Sequence, residues 1–139
     1  MSRSKARLVA MQAIFSLDDD PGAMKPVIDA RAEEEQLDEK DRGYLDDIVE
    51  VVKENQANID RYIGSFSIDW DISRLGKVER AILRIAIGEM MKMSDIPVSV
   101  SINEAVILSK KFGADQSSKF INGILGKFSR EVIGEDRDR

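Results

Sequence analysis

The chain has 139 residues, 42% of them hydrophobic and 34% charged, with three prolines and a formal net charge of −5. It contains no cysteine and no histidine, which removes disulfides, thiolate metal sites, cysteine nucleophiles and the commonest general base together. That composition fits one helical domain. The acid excess argues against nucleic-acid binding by the whole surface, so any RNA site must be a local basic patch.

In chain order, a first helix is expected from Ser2 or Ser4, with Leu8, Met11, Ile14 or Phe15, and Leu17 at helical spacing. Arg3, Lys5 and Arg7 occupy its first two turns. Positive charge there opposes the helix dipole, at a cost of a few tenths of a kcal/mol up to about 1. The three cations read either as a solvated basic end or as a phosphate-contacting arm. The first sixteen residues hold Arg, Lys and Ser with no acid, as a transit peptide would, but the same residues make a sensible core helix. Asp18, Asp19, Asp20 and Pro21-Gly22 then form a turn. A short helix over 24–32 turns Val27, Ile28 and Ala30 inward. Glu33, Glu34 and Glu35 are a solvated run, because adjacent carboxylates on a helix diverge and hold no metal.

From Asp41 a long helix carries Tyr44, Ile48, Val51 or Val52, Asn55, Ile59, Ile63 and Phe66 in one stripe of period 3.6. Between Asp18 and Asp60 there are fifteen acids and five bases, a local balance of −10. Phosphates would meet like charge on this half. Ser65 to Leu75 is irregular or briefly helical, and its Trp70 serves either as a core plug joining two halves or as an aromatic anchor for a partner.

The stretch from Gly76 to Phe128 organises the rest. Val78, Ala81, Ile82, Leu83, Ile85, Ala86, Ile87 and Met90 leave almost no polar side except Glu79, Arg80, Arg84 and Glu89, which predicts a helix at the centre of the fold. Pro97 ends it. Ser101 and Glu104 form an S-x-x-E capping box that opens the next helix. Its inner face is Ile102, Ala105, Val106, Ser109 and Phe112, and Gly113 supplies a left-handed residue after its end. Asp115 caps a last helix that buries Phe120, Ile121, Ile124, Leu125 and Phe128.

A second basic region lies here: Lys110, Lys111, Lys119, Lys127 and Arg130 face the single acid Asp115. Gln116, Ser117 and Ser118 start the last helix, where free amides and the positive dipole end suit a phosphate. Phe120 beside Lys119 reads either as a base-stacking aromatic or simply as core. Nothing resembles a Gly-rich phosphate loop, an H-E-x-x-H pair or a nucleophile elbow, so no enzyme, cofactor or metal site is expected. No apolar run approaches the roughly 18 residues a bilayer span requires.

The runs SRSKARLVAMQAIFSLD, VERAILRIA, DIP, INEAV-x-L-x-KKFG and SSKFINGILGK follow one another from about Arg3 to Phe128. In that order they resemble the bacterial transcription antitermination factor NusB family. The resemblance implies an all-α fold, two small helical bundles packed across one another around a buried central helix. Residues 1–133 would then be one domain, with subbundles of about 2–66 and 73–133, followed by a disordered charged tail over 134–139.

The resemblance further implies binding of single-stranded boxA RNA through Arg3, Lys5, Arg7, Gln12, Gln116, Lys119, Phe120 and Asn122. It also implies a surface for NusE, a small-subunit ribosomal protein, for which Phe15, Glu79 and Arg84 are the candidates, with the two charges exposed on the central helix. The implied role is cytoplasmic, within an RNA polymerase antitermination complex on ribosomal RNA operons, without a cofactor. Two departures stand out: Gln116 where other members can carry an acid, and Ser4 where they often carry arginine. On this reading Arg7→Ala with Lys5→Ala weakens RNA binding and leaves thermal stability nearly unchanged. Two alternatives remain open: an rRNA-engaging accessory domain like that fused to RNA methyltransferases, and a homodimer that occludes the RNA face.

Overall fold

The computed structural model describes residues 2–67 and 75–134. They form six helices: α1 (Ser2–Phe15), α2 (Met24–Glu34), α3 (Glu39–Phe66), α4 (Lys77–Lys92), α5 (Val98–Phe112) and α6 (Ser117–Phe128). A 3-10 turn over Pro21–Ala23 precedes α2, and a π turn over Ser129–Ile133 prolongs α6. Trp70 and its neighbours Ile68 and Ile72 lie outside the described residues, as does the chain beyond Gly134.

α4 is the axis, as its apolar circumference requires. Every residue from Ala81 to Met90 is buried. It packs against α1 and α3 of an amino-terminal group and against α5 and α6 of a carboxy-terminal group. The architecture is therefore all-α, two small bundles sharing one buried helix. Gly88 lets α3 come close: a Cβ there would stand 3.3 Å from Val51 and 3.4 Å from Ile48 and Val52. The other long-range tie is aromatic. Tyr62 of α3 meets Phe128 of α6 edge-on with ring centroids 5.1 Å apart, and Phe66 lies 6.4 Å from the same ring.

Local chemistry explains most boundaries. Asp38 caps α3 by accepting the Asp41 amide at 2.9 Å, and Glu39 and Asp41 complement the dipole. Tyr44, Ile48, Val52, Ile59 and Ile63 are buried along it. α2 ends in a Schellman motif, with Leu37 N–H on Ala32 O (3.1 Å) and Gln36 N–H on Glu33 O (3.0 Å), and Gln36 takes a left-handed φ of 55°. In α2 Ile28 is buried, Val27 half-buried and Ala30 exposed. α1 turns an alanine-rich face inward, Ala6, Ala10 and Ala13 with Val9 and Ile14, and Leu17 just past its end is buried too. Leu8 is half-buried, and Phe15 points outward at 39% exposure.

The carboxy-terminal boundaries differ from expectation. α4 ends at Lys92, and Pro97 opens α5 instead of closing α4, since a proline suits the first turn where amides lack partners. Ser101 is consequently inside α5 and forms no capping box. Its hydroxyl donates to Glu89 at 2.9 Å, and Glu104 is taken by Ser4 and Arg7. Phe112 is 45% exposed and Leu108 fills the inward position. Gly113 has an ordinary φ of −85°. The left-handed residue is Gln116, φ 73°, and it, not Asp115, stands at the N-cap of α6 without a side-chain cap.

Candidate nucleic-acid interface

The basic start of α1 divides in two. Arg7 is 4% exposed and lies on the alanine face. Its Nε reaches Glu89 Oε2 at 2.7 Å and its Nη2 reaches Oε1 at 3.1 Å, a bidentate fork. A third bond goes from Nη1 to Glu104 at 3.3 Å. Glu89 also accepts from Ser101 and from the Tyr44 hydroxyl. Burial alone would lower the Arg7 pKa, but the Glu89 bond and the surrounding charges outweigh it and raise it. Burial and Glu89 push the Tyr44 phenol well up. The expected phosphate arm thus loses Arg7, whose donors are committed inside. Lys5 remains outward, while Arg3 is half-buried. The Arg3 guanidinium lies 4.5 Å from the Tyr44 ring centroid, a cation–π contact that steadies the arm.

Glu79 and Arg84 also correct an expectation, being 7% and 3% exposed. Arg84 spans Asp60 (2.9 and 2.8 Å) and Asp18 (both contacts 3.2 Å). Burial lowers its pKa less than those two carboxylates raise it. Glu79 Oε2 accepts the Ala114 amide at 2.8 Å and the Ser117 hydroxyl at 2.6 Å. Burial would raise its pKa, but those bonds prevail and hold it below the usual value. The α6 start expected to receive phosphate therefore already holds an internal carboxylate. Of the three candidate partner contacts only Phe15 faces outward, beside Lys77, whose Nζ is 5.0 Å from the ring centroid.

α5 carries the surface that remains. On its α1 side a cleft of about 210 Å³ is lined by Lys5, Leu8, Ile107, Lys111 and Phe112. Beside it a shallower one of about 470 Å³ runs past Arg3, Ser4 and Val100. On its α6 side a groove of about 530 Å³ is lined by Ser99, Asn103, Lys110, Ser118, Lys119 and Asn122. Lys5, Lys110, Lys111 and Lys119 are exposed, and among the described residues none of them joins an ion pair. The eight expected RNA residues do not form one cluster. Lys119 and Asn122 share the α5–α6 groove. Gln116 and Phe120 line a separate cleft of about 280 Å³ against Leu75, Gly76 and Glu79. Gln12 accepts from Arg31 of α2 at 2.9 Å, next to Glu34 and Glu35.

The sequence reading did not single out Ser99 and Asn103, and counted Lys110 only as a charge. Their spacing, with Val106 between, is one stripe of α5 and was the available signal.

A family model described as the NusB family matches residues 4–130. The chain belongs to that family. A protein from Acetivibrio thermocellus named transcription antitermination protein NusB is 45% identical over 127 residues, 91% of this chain and 88% of its own length. The solved structure of T. maritima NusB superposes with a TM-score of 0.85 at 30% identity, covering 94% of this chain and 92% of that one. A crystal structure of antitermination factors NusB and NusE in complex with dsRNA superposes with a TM-score of 0.77 at 26% identity, covering 90% and 93%. The NusB-type architecture of two bundles around a shared helix is thus common to this chain and solved members of the family.

Proposed function

We propose that this chain is a transcription antitermination factor, not an enzyme, that binds single-stranded boxA RNA together with NusE and keeps RNA polymerase processive on ribosomal RNA operons in the cytoplasm. The observation that carries the RNA reading is the placement of lysines. In a chain of net charge −5, Lys5, Lys110, Lys111 and Lys119 flank the two sides of α5 and join no ion pair among the described residues. Phosphates neutralise such cations and fix the strand, while Asn103 and Asn122 in the α5–α6 groove offer paired donors and acceptors to base edges. Phe15 and Lys77, at the junction of α1 and α4, supply an amphipathic contact for the NusE partner. No described helix is long and apolar enough to cross a membrane.

The test is fluorescence anisotropy of a short boxA-like RNA across a salt series, with and without NusE. Three to five phosphate contacts give a log–log slope of about −2 to −3.5 for a single strand. Affinity is expected to rise when NusE is present. Absence of binding in both arms, with the two proteins still associating, would overturn the RNA reading. Light scattering at several protein concentrations would separate a monomer from a homodimer that covers the exposed Val100, Ile107 and Phe112 of α5.

A further inference from the structure

We propose that Glu79, a residue of the central helix, is the positioning residue for the RNA-facing start of α6; this rests on the RNA reading given above. The backbone from Gly113 to Ser117 carries two hydrogen bonds of its own, Gly113 N–H on Ser109 O at 2.8 Å and Ser117 N–H on Ala114 O at 3.1 Å, but no side-chain cap at Gln116. α5 has ended, Asp115 and Gln116 are exposed, and Gln116 sits at φ 73°. A side chain other than glycine is strained there, and a hold from α4 offsets that strain. One oxygen does this. Glu79 Oε2 accepts both the Ala114 N–H and the Ser117 hydroxyl, at 2.8 and 2.6 Å, tying the first and last residues of the turn to α4.

The surroundings are shaped to that carboxylate. A Cβ on Gly113 would come within 2.7 Å of Oε2. A Cβ on Gly76 would collide with Oε1. Left-handed backbone is not the reason for either glycine, since Gly113 has φ −85° and Gly76 φ −65°; at Gly76 the crowding comes from Glu79, and at Gly113 from Glu79 together with the Ser109 carbonyl, also 2.7 Å from a Cβ. Lys119 follows Ser117 by two residues, so the direction in which its ammonium enters the α5–α6 groove is set by the first turn of α6. Glu79 makes no contact with RNA in this account. It lines the Gln116–Phe120 cleft and not that groove, and its influence passes through the turn.

A double-mutant cycle tests this, read by anisotropy of single-stranded boxA-like RNA in the presence of NusE. Each variant is held at a temperature where circular dichroism gives the same helix content. Lys119→Ala is expected to weaken binding about fivefold and to make the salt slope shallower by about 0.7. Glu79→Ala should weaken it by a similar factor with the same change of slope, and the double variant should be no weaker than the weaker single one. Glu79→Gln should stay within about twofold of the wild type, because its amide oxygen can accept both hydrogen bonds. Amide exchange at Ala114 should quicken in Glu79→Ala and keep its protection in Glu79→Gln.

Additive losses, or unchanged affinity in Glu79→Ala alongside a weakened Lys119→Ala, would overturn the positioning role and leave the RNA reading standing. An ineffective Lys119→Ala would also overturn the positioning role, whereas only absence of RNA binding by the wild type would overturn the RNA reading.

Discussion

The charges of α4 and those of α5 and α6 sit in opposite circumstances. Glu79, Arg84 and Glu89 are all at most 7% exposed, and each is met by partners from other segments: α1, α3 and α5 for Glu89, α3 and the turn after α1 for Arg84, the start of α6 for Glu79. Lys110, Lys111 and Lys119 are exposed and join no ion pair among the described residues. Buried pairs contribute little net stability compared with well-packed apolar groups, yet breaking one leaves an uncompensated charge in a dry interior. α4 therefore uses charge to specify which segments meet it. The last two helices keep charge that does little for folding and remains available to a polyanion.

The largest test of this contrast is Arg7→Ala. It strands Glu89, 1% exposed, and the expected loss is about 3–5 kcal/mol, read as a lower midpoint in urea denaturation. Lys110→Ala should change stability by no more than about 0.5 kcal/mol. In an RNA salt series the ranking reverses: Lys110→Ala makes the slope shallower by about 0.7, whereas the Arg7 variant keeps the wild-type slope under conditions where it is folded. A small stability change in Arg7→Ala would return that residue to the exposed arm and erase the distinction.

This is also where the sequence was least legible. The fold could be read because burial on one face repeats over whole helices: the α3 stripe from Tyr44 to Ile63 and the apolar circumference of α4 are sums of many residues. Single polar residues obey one partner each, and that partner is far away in sequence. Arg7 pairs with a residue 82 positions on, so it looked like its neighbours Arg3 and Lys5. The clues were present in two places. Arg7 lies on the face of Ala6, Ala10 and Ile14, and Glu89 sits on a helix with no room for a solvated acid. The Ser101–Glu104 box failed for the same reason: the local motif was a weaker claim on those side chains than Glu89 and Arg7 were. Gly113 was expected as a left-handed residue, but its φ is −85° and what it gives is space beside the Ser109 carbonyl and Glu79.

Acid should expose the same contrast at moderate size. The Glu79 pKa is held below 4.5 by the Ser117 and Ala114 bonds against the opposing effect of burial, and the Asp18 pKa below 3.8 by Arg84 and Arg80 against the same effect. For both groups the unfolded state binds protons more readily. Their stabilisation is therefore fully present above the unfolded values and is lost as pH falls through the lower folded ones. Urea midpoints should decline below about pH 4.5, starting with the range in which unfolded Glu79 protonates. Glu79→Gln should flatten the upper part of that decline. An acid limb identical to wild type in Glu79→Gln would mean that the α4 carboxylate does not carry the charge assigned to it.

The smallest effect comes from two glutamines, one in each half of the molecule. Gln36 (φ 55°) follows α2 in the acidic half, and Gln116 (φ 73°) precedes α6 in the cleft it shares with Phe120. Glycine removes the steric penalty of left-handed backbone but gives up chain entropy, so either substitution should stabilise by about 0.5–1 kcal/mol. Thermal melts of Gln36→Gly and Gln116→Gly should then rise by similar amounts. RNA affinity should separate them. Gln36→Gly has no reason to alter it, because Gln36 lies in a half where acids outnumber bases fifteen to five. Gln116→Gly should lower it, since a freer turn no longer fixes the direction of Lys119 in the α5–α6 groove. Equal RNA affinity in the two glycine variants would make the strain at Gln116 a plain property of the fold, with no connection to what α6 binds.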